Sequence, residues 1–234
     1  MLDSPVRPLL PVRNASYTAR LALDAETRLD AYRLRYDAYL SQGFIAPNVT
    51  GMFVDEYDAL PNTLTMVIYL DDRPVGSVRT CSLSLGSGQR SAAADVYPDA
   101  VFRLLRENRN PGFGQRGLEV NRMVRSPACE NNQGLVFLLY RMAGYIAMTT
   151  HTQIIFACVR VNHVPLYRRL GYREAAEPRS YPGLSCPMQL LYCTRETYDD
   201  IRAAYPVIDP YTRATGSLDG FLAGEPVCLS ASRP

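Results

Sequence analysis

Four short clusters of charged and aromatic side chains have the residue types of an active site. They are Arg35 with Tyr36 and Tyr39, the acidic loop 51–58 with Asp55 and Asp58, Arg79 at the end of the run 75–79, and Glu119 with Arg122 in the apolar run 118–125. Carboxylates accept protons, and guanidinium groups bind carboxylates. Charges inside a buried strand are costly unless they are paired. We therefore expect one ionic network, which is either part of an active site or a structural link between loop and sheet.

The spacing of Glu119 and Arg122 bears directly on that network. In a regular strand, residues three positions apart point to opposite faces of the sheet. The two side chains would therefore join the same network only if a β-bulge re-aims one of them.

Composition excludes several other kinds of chemistry. The 234 residues are 47% hydrophobic and 21% charged with a formal net charge of +2, which is typical of a globular protein and too near balance for a nucleic-acid binder. All 25 basic residues are arginine, so a Schiff-base lysine and a P-loop lysine are excluded. The two histidines and six scattered cysteines lack metal-ligand spacing, so we expect no metal site.

The N-terminus and the apolar runs indicate where the protein resides. Residues 1–7 lack the apolar core of a signal peptide, and the apolar runs 134–140 and 154–159 are too short to span a membrane. We therefore expect no transmembrane segment and a cytoplasmic location.

Hydrophobic periodicity predicts the elements that must position these clusters. Strands are expected at 17–23, 63–70, 74–83, 118–125, 153–159 and 188–193, and helices at 25–41, 92–108, 131–150, 164–170 and 194–204. This alternation predicts an α/β fold with a mixed sheet and helices on its faces. Residues 1–14 are expected to be an irregular N-terminal segment, 15–205 one domain, and 206–234 a C-terminal tail rich in proline and glycine.

Four motifs in a fixed order carry a family resemblance. Leu34-Arg35-Tyr36-Asp37-Ala38-Tyr39 is followed by Asp55-Glu56-Tyr57-Asp58, Gly76-Ser77-Val78-Arg79 and Glu119-Val120-Asn121-Arg122. Their order and spacing resemble the acyl-homoserine-lactone synthases and, more closely, the long-chain N-acyl amino acid synthases of the GNAT acyltransferase superfamily. Residues 162–172, with Asn162 and Tyr167, resemble the strand–helix ending of that superfamily. The resemblance implies a GNAT-like mixed sheet with a splayed central strand pair and flanking helices.

The resemblance also implies a reaction, the transfer of a long-chain acyl group from a thioester to the α-amine of an amino acid. GNAT enzymes that use coenzyme A hold its pyrophosphate with a Gln/Arg-x-x-Gly-x-Gly/Ala loop, which the stretch 130–135 lacks. The expected donor is therefore the acyl-phosphopantetheine of acyl carrier protein, with acyl-CoA as the alternative and no tightly bound cofactor. Lactone synthases commonly carry a tryptophan after the first helix, where residues 43–45 read Gly-Phe-Ile, so S-adenosylmethionine is less expected.

Individual roles follow from the same resemblance. Glu119 is the expected general base for the amine, and Tyr167 is the expected acid that protonates the departing thiolate. The expected thioester- and pantetheine-binding residues are Met123, Val124, Arg125 and Asn162, and the backbone amides of Val124 and Arg125 are the expected donors to the oxyanion. The expected acceptor-binding residues are Arg35, Tyr39, Asp55, Asp58, Arg79 and Arg122. Arg79 and Arg122 would clamp the acceptor carboxylate.

Two arginine-rich segments, 103–125 and 160–173, suggest a docking face for an acidic acyl carrier protein, with Arg103 and Arg106 as the positions to test. Ordinary solvated arginines would give the same pattern.

Three other functions stay open: a lactone synthase that uses S-adenosylmethionine, a GNAT acetyltransferase that uses acetyl-CoA, and a GNAT-like binding module without catalysis.

Overall fold

Strands and helices alternate through the described part of the chain, which in this computed structural model is residues 16–109, 112, 114–211 and 218–230. The strands are β1 (Ser16–Leu21), β2 (Thr63–Leu70), β3 (Arg73–Ser84), β4 (Arg116–Arg125), β5 (Ile154–Val159), β6 (Arg173–Glu174), β7 (Arg179–Tyr181), β8 (Leu184–Thr194) and β9 (Val227–Ser230). The α-helices are α1 (Ala25–Ser41), α2 (Ala92–Val96), α3 (Pro98–Glu107), α4 (Gln133–Thr149), α5 (Val164–Arg169) and α6 (Arg195–Ala204). Short 3-10 helices cover Glu56–Ala59, Pro127–Cys129, Val161–His163, Pro206–Ile208 and Phe221–Ala223.

The strands form one mixed sheet in the order β6-β8-β5-β4-β3-β2-β1-β9, with β7 paired to β8. β4 and β5 are parallel, and the other pairs are antiparallel. The parallel pairing runs from Gly117 opposite Ile154 to Val120 opposite Ala157 and stops there, although both strands continue. The predicted fold, a mixed sheet with a splayed central pair, is confirmed.

Helices cover both faces of the sheet, as the alternation along β2 shows. Met66 and Ile68 pack in the core cluster that contains α4, whereas Val67 and Tyr69 pack in the cluster that contains α1. α2 and α3 cover β5 and the end of β3 in a further cluster. No helix in the described ranges is long and apolar enough to cross a membrane.

One predicted helix, 92–108, is two helices. α2 ends at Val96, and α3 starts at Pro98. Tyr97 between them has φ −129° and ψ 50°, because a residue that precedes proline is kept out of the helical region. The apolar spacing continued across this break and concealed it.

The predicted C-terminal tail, 206–234, is part of the domain wherever it is described. β9 pairs with β1, and Phe221 is fully buried in the core cluster of α4. The Tyr145 hydroxyl of α4 donates to the carbonyl of Leu218 at 2.5 Å, and Nε of Arg141 donates to the carbonyl of Val207 at 2.7 Å. The prediction of an irregular segment at 1–14 falls outside the described residues.

Candidate active site

A cavity of about 440 Å³ opens where β4 and β5 stop pairing. One wall is the end of β4 from Val120 to Arg125, and the facing wall is Cys158–Arg160 with Tyr167 of α5. The end of α1 and the start of β8 also line the cavity. Cavities of roughly 300–1,000 Å³ are typical of small-molecule sites. Because the strands have separated, this part of β4 presents its backbone edge to the cavity instead of to β5.

A β-bulge in β4 aims the side chain of Arg122. The register between β3 and β4 shifts between Ser77 and Arg79, so that β4 has an extra residue there. Arg122 has a φ of +50°, in the left-handed region that residues other than glycine rarely adopt. The spacing of Glu119 and Arg122 required a β-bulge if both were to join one network. This bulge is the one that lets Arg122 reach the network on the side of Arg79.

Asp55 joins the guanidinium groups of Arg79 and Arg122. Its Oδ1 accepts a hydrogen bond from Nη1 of Arg79 at 2.5 Å, and its Oδ2 accepts one from Nη2 of Arg122 at 2.6 Å. Burial alone would raise the pKa of the Asp55 carboxyl, but the hydrogen bonds and charges of the two arginines lower this pKa to about 2. Asp55 is therefore a carboxylate at neutral pH, and both of its oxygens are already bound.

Asp58 binds a second pair of arginines. Its Oδ1 accepts from Nη1 of Arg35 at 2.6 Å and from Nη1 of Arg79 at 2.8 Å. Its Oδ2 accepts from the backbone N–H of Asp55 at 3.0 Å and closes a capping box of the 3-10 helix at 56–59. Arg35 and Arg79 are fully buried and do not line the cavity. These contacts tie the acidic loop to α1 and β3.

Glu119 is completely buried beside this network. Its carboxylate accepts hydrogen bonds from the backbone N–H of Ala93 at 2.8 Å, Nδ2 of Asn121 at 2.8 Å and the Tyr181 hydroxyl at 2.5 Å. Oδ1 of Asn121 accepts from Nε of Arg79 at 2.8 Å, which links Glu119 to the arginines. Glu119 does not line the cavity. Three donors surround the carboxylate, so this geometry does not favour the expected role of Glu119 as the general base, which stays a prediction.

Arg122 is the arginine of the network that reaches the cavity wall. Its guanidinium carbon lies 4.7 Å, 5.5 Å and 5.9 Å from the ring centroids of Phe53, Tyr181 and Tyr39. Gly183, at a φ of +75°, makes this enclosure possible, because a Cβ there would lie 2.7 Å from the Phe53 ring. The aromatic rings and Asp55 together fix the guanidinium in one place.

Tyr167 lines the cavity from α5, and its hydroxyl is suited to donate a proton. Burial raises the pKa of Tyr167 above its ordinary value, so the group is protonated at neutral pH.

His163 and Arg160 line the same cavity, four and seven residues before Tyr167. Nη2 of Arg160 lies 2.9 Å from Nε2 of His163, and because a guanidinium only donates, Nε2 is the acceptor. Burial and the charges of Arg160 and Arg125 lower the pKa of His163, so the ring is neutral at neutral pH. The guanidinium carbon of Arg160 also lies 4.4 Å from the centroid of Phe44. Sequence reasoning gave His163 no role, although the spacing 160–163–167 indicates one shared helical face.

The first turn of α4 is capped by the side chain of Asn132. The side chain of Asn132 accepts from the backbone N–H of Leu135 at 3.1 Å, and Nη1 of Arg125 donates to the carbonyl of Asn132 at 3.2 Å. Glu130, which lines the cavity, is exposed just before this turn.

A comparison of the sequence with protein-family models identifies the family of this chain. A sequence model of the N-acyl amino acid synthase FeeM family matches residues 30–194, which is well over half of the chain. The chain belongs to this family. It is therefore an acyltransferase, as the motifs imply. No curated protein matches the chain significantly.

Solved structures of FeeM and of lactone synthases share the fold of this FeeM-family acyltransferase. FeeM, an N-acyl amino acid synthase from uncultured soil microbes, has a TM-score of 0.63 at 16% identity over 82% of this chain and 96% of that chain. The acyl-homoserine-lactone synthase LasI has a TM-score of 0.57 at 15% identity, over 82% and 96% of the two chains. BjaI, a CoA-dependent acyl-homoserine lactone synthase solved with S-adenosylmethionine and isopentyl-CoA, has a TM-score of 0.57 at 16% identity, over 86% and 92%.

The site residues expected from the sequence fall into two groups in this FeeM-family chain. Those that line the cavity are Tyr39, Arg122, Met123, Val124, Arg125 and Tyr167. Those that do not are Arg35, Asp55, Asp58, Arg79, Glu119 and Asn162. Asn162 is exposed on the 3-10 helix after β5, whereas the other five belong to the buried network that holds Arg122. Sequence reasoning also missed the start of β8, which adds Leu184, Cys186 and Met188 to the lining.

Proposed function

We propose that this acyltransferase moves a long-chain acyl group from the phosphopantetheine thioester of acyl carrier protein to the α-amine of an amino acid. The observation that carries the proposal is the cavity between the separated ends of β4 and β5, with backbone on one wall and Tyr167 on the other. A thioester held in this gap has its carbonyl oxygen toward β4 and its sulfur toward Tyr167.

The oxyanion donors in this proposal are those backbone N–H groups of Met123–Arg125 that point away from β3, on the part of β4 beyond its pairing with β5. Donors fixed in place before the reaction stabilise the tetrahedral oxyanion, and the loss of one such donor typically slows an enzyme by about 10²–10³. Tyr167 then protonates the thiolate as the C–S bond breaks.

Arg122 alone takes the role that the sequence divided between Arg79 and Arg122. The buried guanidinium of Arg79 is bound by Asp55, Asp58 and Asn121. Nε and Nη2 of Arg122 bond to Asp55, and Nη2 also donates to a backbone carbonyl at 2.9 Å. Its Nη1 is left to donate to the acceptor carboxylate, beside the aromatic wall of Tyr39.

The proton of the amine leaves through the cavity in this proposal and does not pass to Glu119. Glu130 and His163 line the cavity, and a carboxylate and a neutral imidazole are both groups that can act as a general base. Glu119 instead holds Asn121 and, through it, Arg79.

Two features of α4 favour a carrier-protein donor over coenzyme A. A GNAT enzyme that binds coenzyme A offers its pyrophosphate free backbone N–H groups at this helix terminus. Here the side chain of Asn132 already accepts from Leu135, and the carboxylate of Glu130 adds negative charge at the same place.

The surface of α5 beside the cavity suits an acidic carrier protein. Arg168 and Arg169 are exposed there, next to the exposed apolar side chains of Val161 and Leu166. Arg103 and Arg106 lie elsewhere, on α3, which packs against the beginning of β4 instead of its cavity end. We therefore place the docking face on the second of the two arginine-rich segments, 160–173, and replace Arg103 and Arg106 by Arg168 and Arg169 as the positions to test.

A donor comparison tests this proposal. Purified protein would receive one amino-acid acceptor and a dodecanoyl group as the thioester of either acyl carrier protein or coenzyme A. We expect a higher kcat/KM with the carrier protein, falling as salt is raised because docking is electrostatic. An equal or higher kcat/KM with coenzyme A would contradict the choice of donor while leaving acyl transfer intact.

A further inference from the structure

A smaller inner cavity of about 30 Å³ lies behind the main cavity that Tyr167 lines. Apolar and aromatic side chains of β4, β5, α4 and α6 form its walls. Val120 lines both cavities. The ring of Tyr167 also contacts Tyr140 and Tyr172 of the inner cavity, with centroids 5.9 Å and 5.1 Å apart. The two cavities are therefore neighbours across Val120 and the Tyr167 ring.

The Tyr198 hydroxyl is the feature of the inner cavity that points to a ligand. Tyr198 of α6 is 8% exposed, and within the described part of the chain its hydroxyl oxygen is buried without a hydrogen-bond partner. Buried hydroxyl groups are normally paired, because an unpaired one has lost its hydrogen bonds to water without replacement. A phenol hydroxyl both donates and accepts, so it suits a ligand oxygen.

Gly144 of α4 makes room for this hydroxyl. A Cβ at position 144 would lie 1.9 Å from the Tyr198 oxygen. Glycine inside a helix is less stable than alanine, and a phenylalanine at 198 would remove the unpaired hydroxyl without the loss of a hydrogen bond. Gly144 and Tyr198 therefore keep two destabilising features that packing alone does not require, as residues of binding sites do.

The acyl chain is the group that can reach this cavity. In the proposed function the thioester carbonyl lies at Met123–Arg125, three to five residues from Val120 along β4. At the rise of a β-strand this is roughly 10–16 Å, a distance that a medium or long acyl chain spans. The last atoms of the chain then meet Tyr198, where a methyl end leaves the hydroxyl unpaired and an oxygen pairs with it.

We propose that the inner cavity binds the far end of an acyl chain that carries a terminal hydroxyl group, and that Tyr198 is the residue that selects it. This inference rests on the proposed acyl transfer and names the class of acyl group within it. The product is then an N-acyl amino acid with a polar group at each end.

The test compares thioesters of N-acetylcysteamine with decanoyl and dodecanoyl chains, each with and without a terminal hydroxyl group. At the length that reaches Tyr198, the wild type should have the higher kcat/KM with the hydroxylated chain. Tyr198→Phe should lower the ratio of kcat/KM, hydroxylated over plain, by about 10-fold. The matched control is Tyr205→Phe, which changes an exposed tyrosine at the end of the same helix and should leave the ratio unchanged.

Thermal unfolding of the same variants gives a second readout. Tyr198→Phe should unfold at the wild-type temperature or above it, because the hydroxyl has no partner to lose within the described residues. A clear loss of stability would show that the hydroxyl is paired within the fold, and would overturn its role in binding.

The kinetic outcomes separate this inference from the function on which it rests. A ratio that Tyr198→Phe leaves unchanged at both chain lengths, or a wild type that favours the plain chain at both, would overturn the selection by Tyr198 and leave acyl transfer in place. Failure of the wild type to acylate an amino acid with any of these thioesters or with dodecanoyl acyl carrier protein would contradict the proposed function itself.

Discussion

Nη2 of Arg122 lies 2.6 Å from Oδ2 of Asp55, a residue 67 positions earlier in the chain. This contact joins the acidic loop to the bulged strand at the wall of the cavity. Asp55 is held in turn by the fully buried Arg79, so the ionic network ends in one guanidinium that meets the cavity. The network therefore holds Arg122 in place, and in the proposed mechanism the substrates bind on the cavity side of that residue.

Asp55→Asn should lower the free energy of unfolding by about 2.5 kcal/mol at pH 7. The reason is that the pKa of Asp55 falls from its ordinary value of 3.8 to about 2 in the folded protein. Because the folded pKa is the lower one, this stabilisation is complete above pH 4 and disappears as the pH falls toward 2. Urea unfolding of both proteins at several pH values measures the difference, which should shrink with acid. A difference that stays constant from neutral pH to pH 2.5 would count against the ion pairs.

Glu119→Gln should destabilise the fold while lowering kcat only modestly. The carboxylate accepts from three donors, and a glutamine amide presents its own N–H groups to one of them. We expect kcat to stay within about 10-fold of wild type, whereas loss of a general base typically costs about 10²–10⁴-fold. Steady-state kinetics at saturating acceptor, with thermal unfolding in parallel, distinguishes the two roles. A loss of more than 10²-fold in a variant that remains folded would restore Glu119 as the base.

Arg122→Gln should abolish the preference for an acceptor that carries a carboxylate. A charge-assisted hydrogen bond is worth about 1.5–3 kcal/mol, so the wild type should prefer an amino acid over its decarboxylated amine by about 10- to 100-fold in kcat/KM. The variant should use the two acceptors equally well, and its activity on the amine is the control for folding. If the preference survives the substitution, the acceptor carboxylate binds elsewhere.

Charge reversal on α5 should weaken the carrier protein as a donor. Arg168→Glu with Arg169→Glu should lower kcat/KM for dodecanoyl carrier protein by about 10-fold at low salt, and leave the dodecanoyl thioester of N-acetylcysteamine unaffected. The matched control is Arg103→Glu with Arg106→Glu on α3, which should change neither rate. If the α3 pair weakens the carrier protein as a donor and the α5 pair does not, the docking face lies on the first arginine-rich segment, 103–125.

Local signals in the sequence predict most of the fold. Asp24 caps α1 and Thr194 caps α6 through side-chain hydrogen bonds. The α1 helix begins at the predicted residue, and the α6 helix begins one residue after the predicted start. β9 could not be predicted this way, because it is short and is stabilised by pairing with β1 at the other end of the chain. The break at Pro98 did carry a local signal, but the apolar spacing on either side of it suggests one continuous helix.

The sequence predicts which residues form the ionic network better than it predicts how they are arranged around the cavity. Buried charges must pair, so the residue types alone indicate that Asp55, Asp58 and the arginines associate. Which of them meets the cavity depends on the bulge at Arg122 and on where the β4–β5 pairing stops, and neither is visible in a single sequence. Glu119 shows the consequence, since its motif suggests a base but its position is closed off by three donors.

The most direct test of the account is the mass of the product. Purified protein would be incubated with dodecanoyl acyl carrier protein, an equimolar mixture of amino acids and S-adenosylmethionine, and the products analysed by mass spectrometry. The account predicts an N-dodecanoyl amino acid, whose mass identifies the acceptor, together with free carrier-protein thiol. An N-dodecanoyl homoserine lactone, or hydrolysis of the thioester without any N-acyl product, would contradict it.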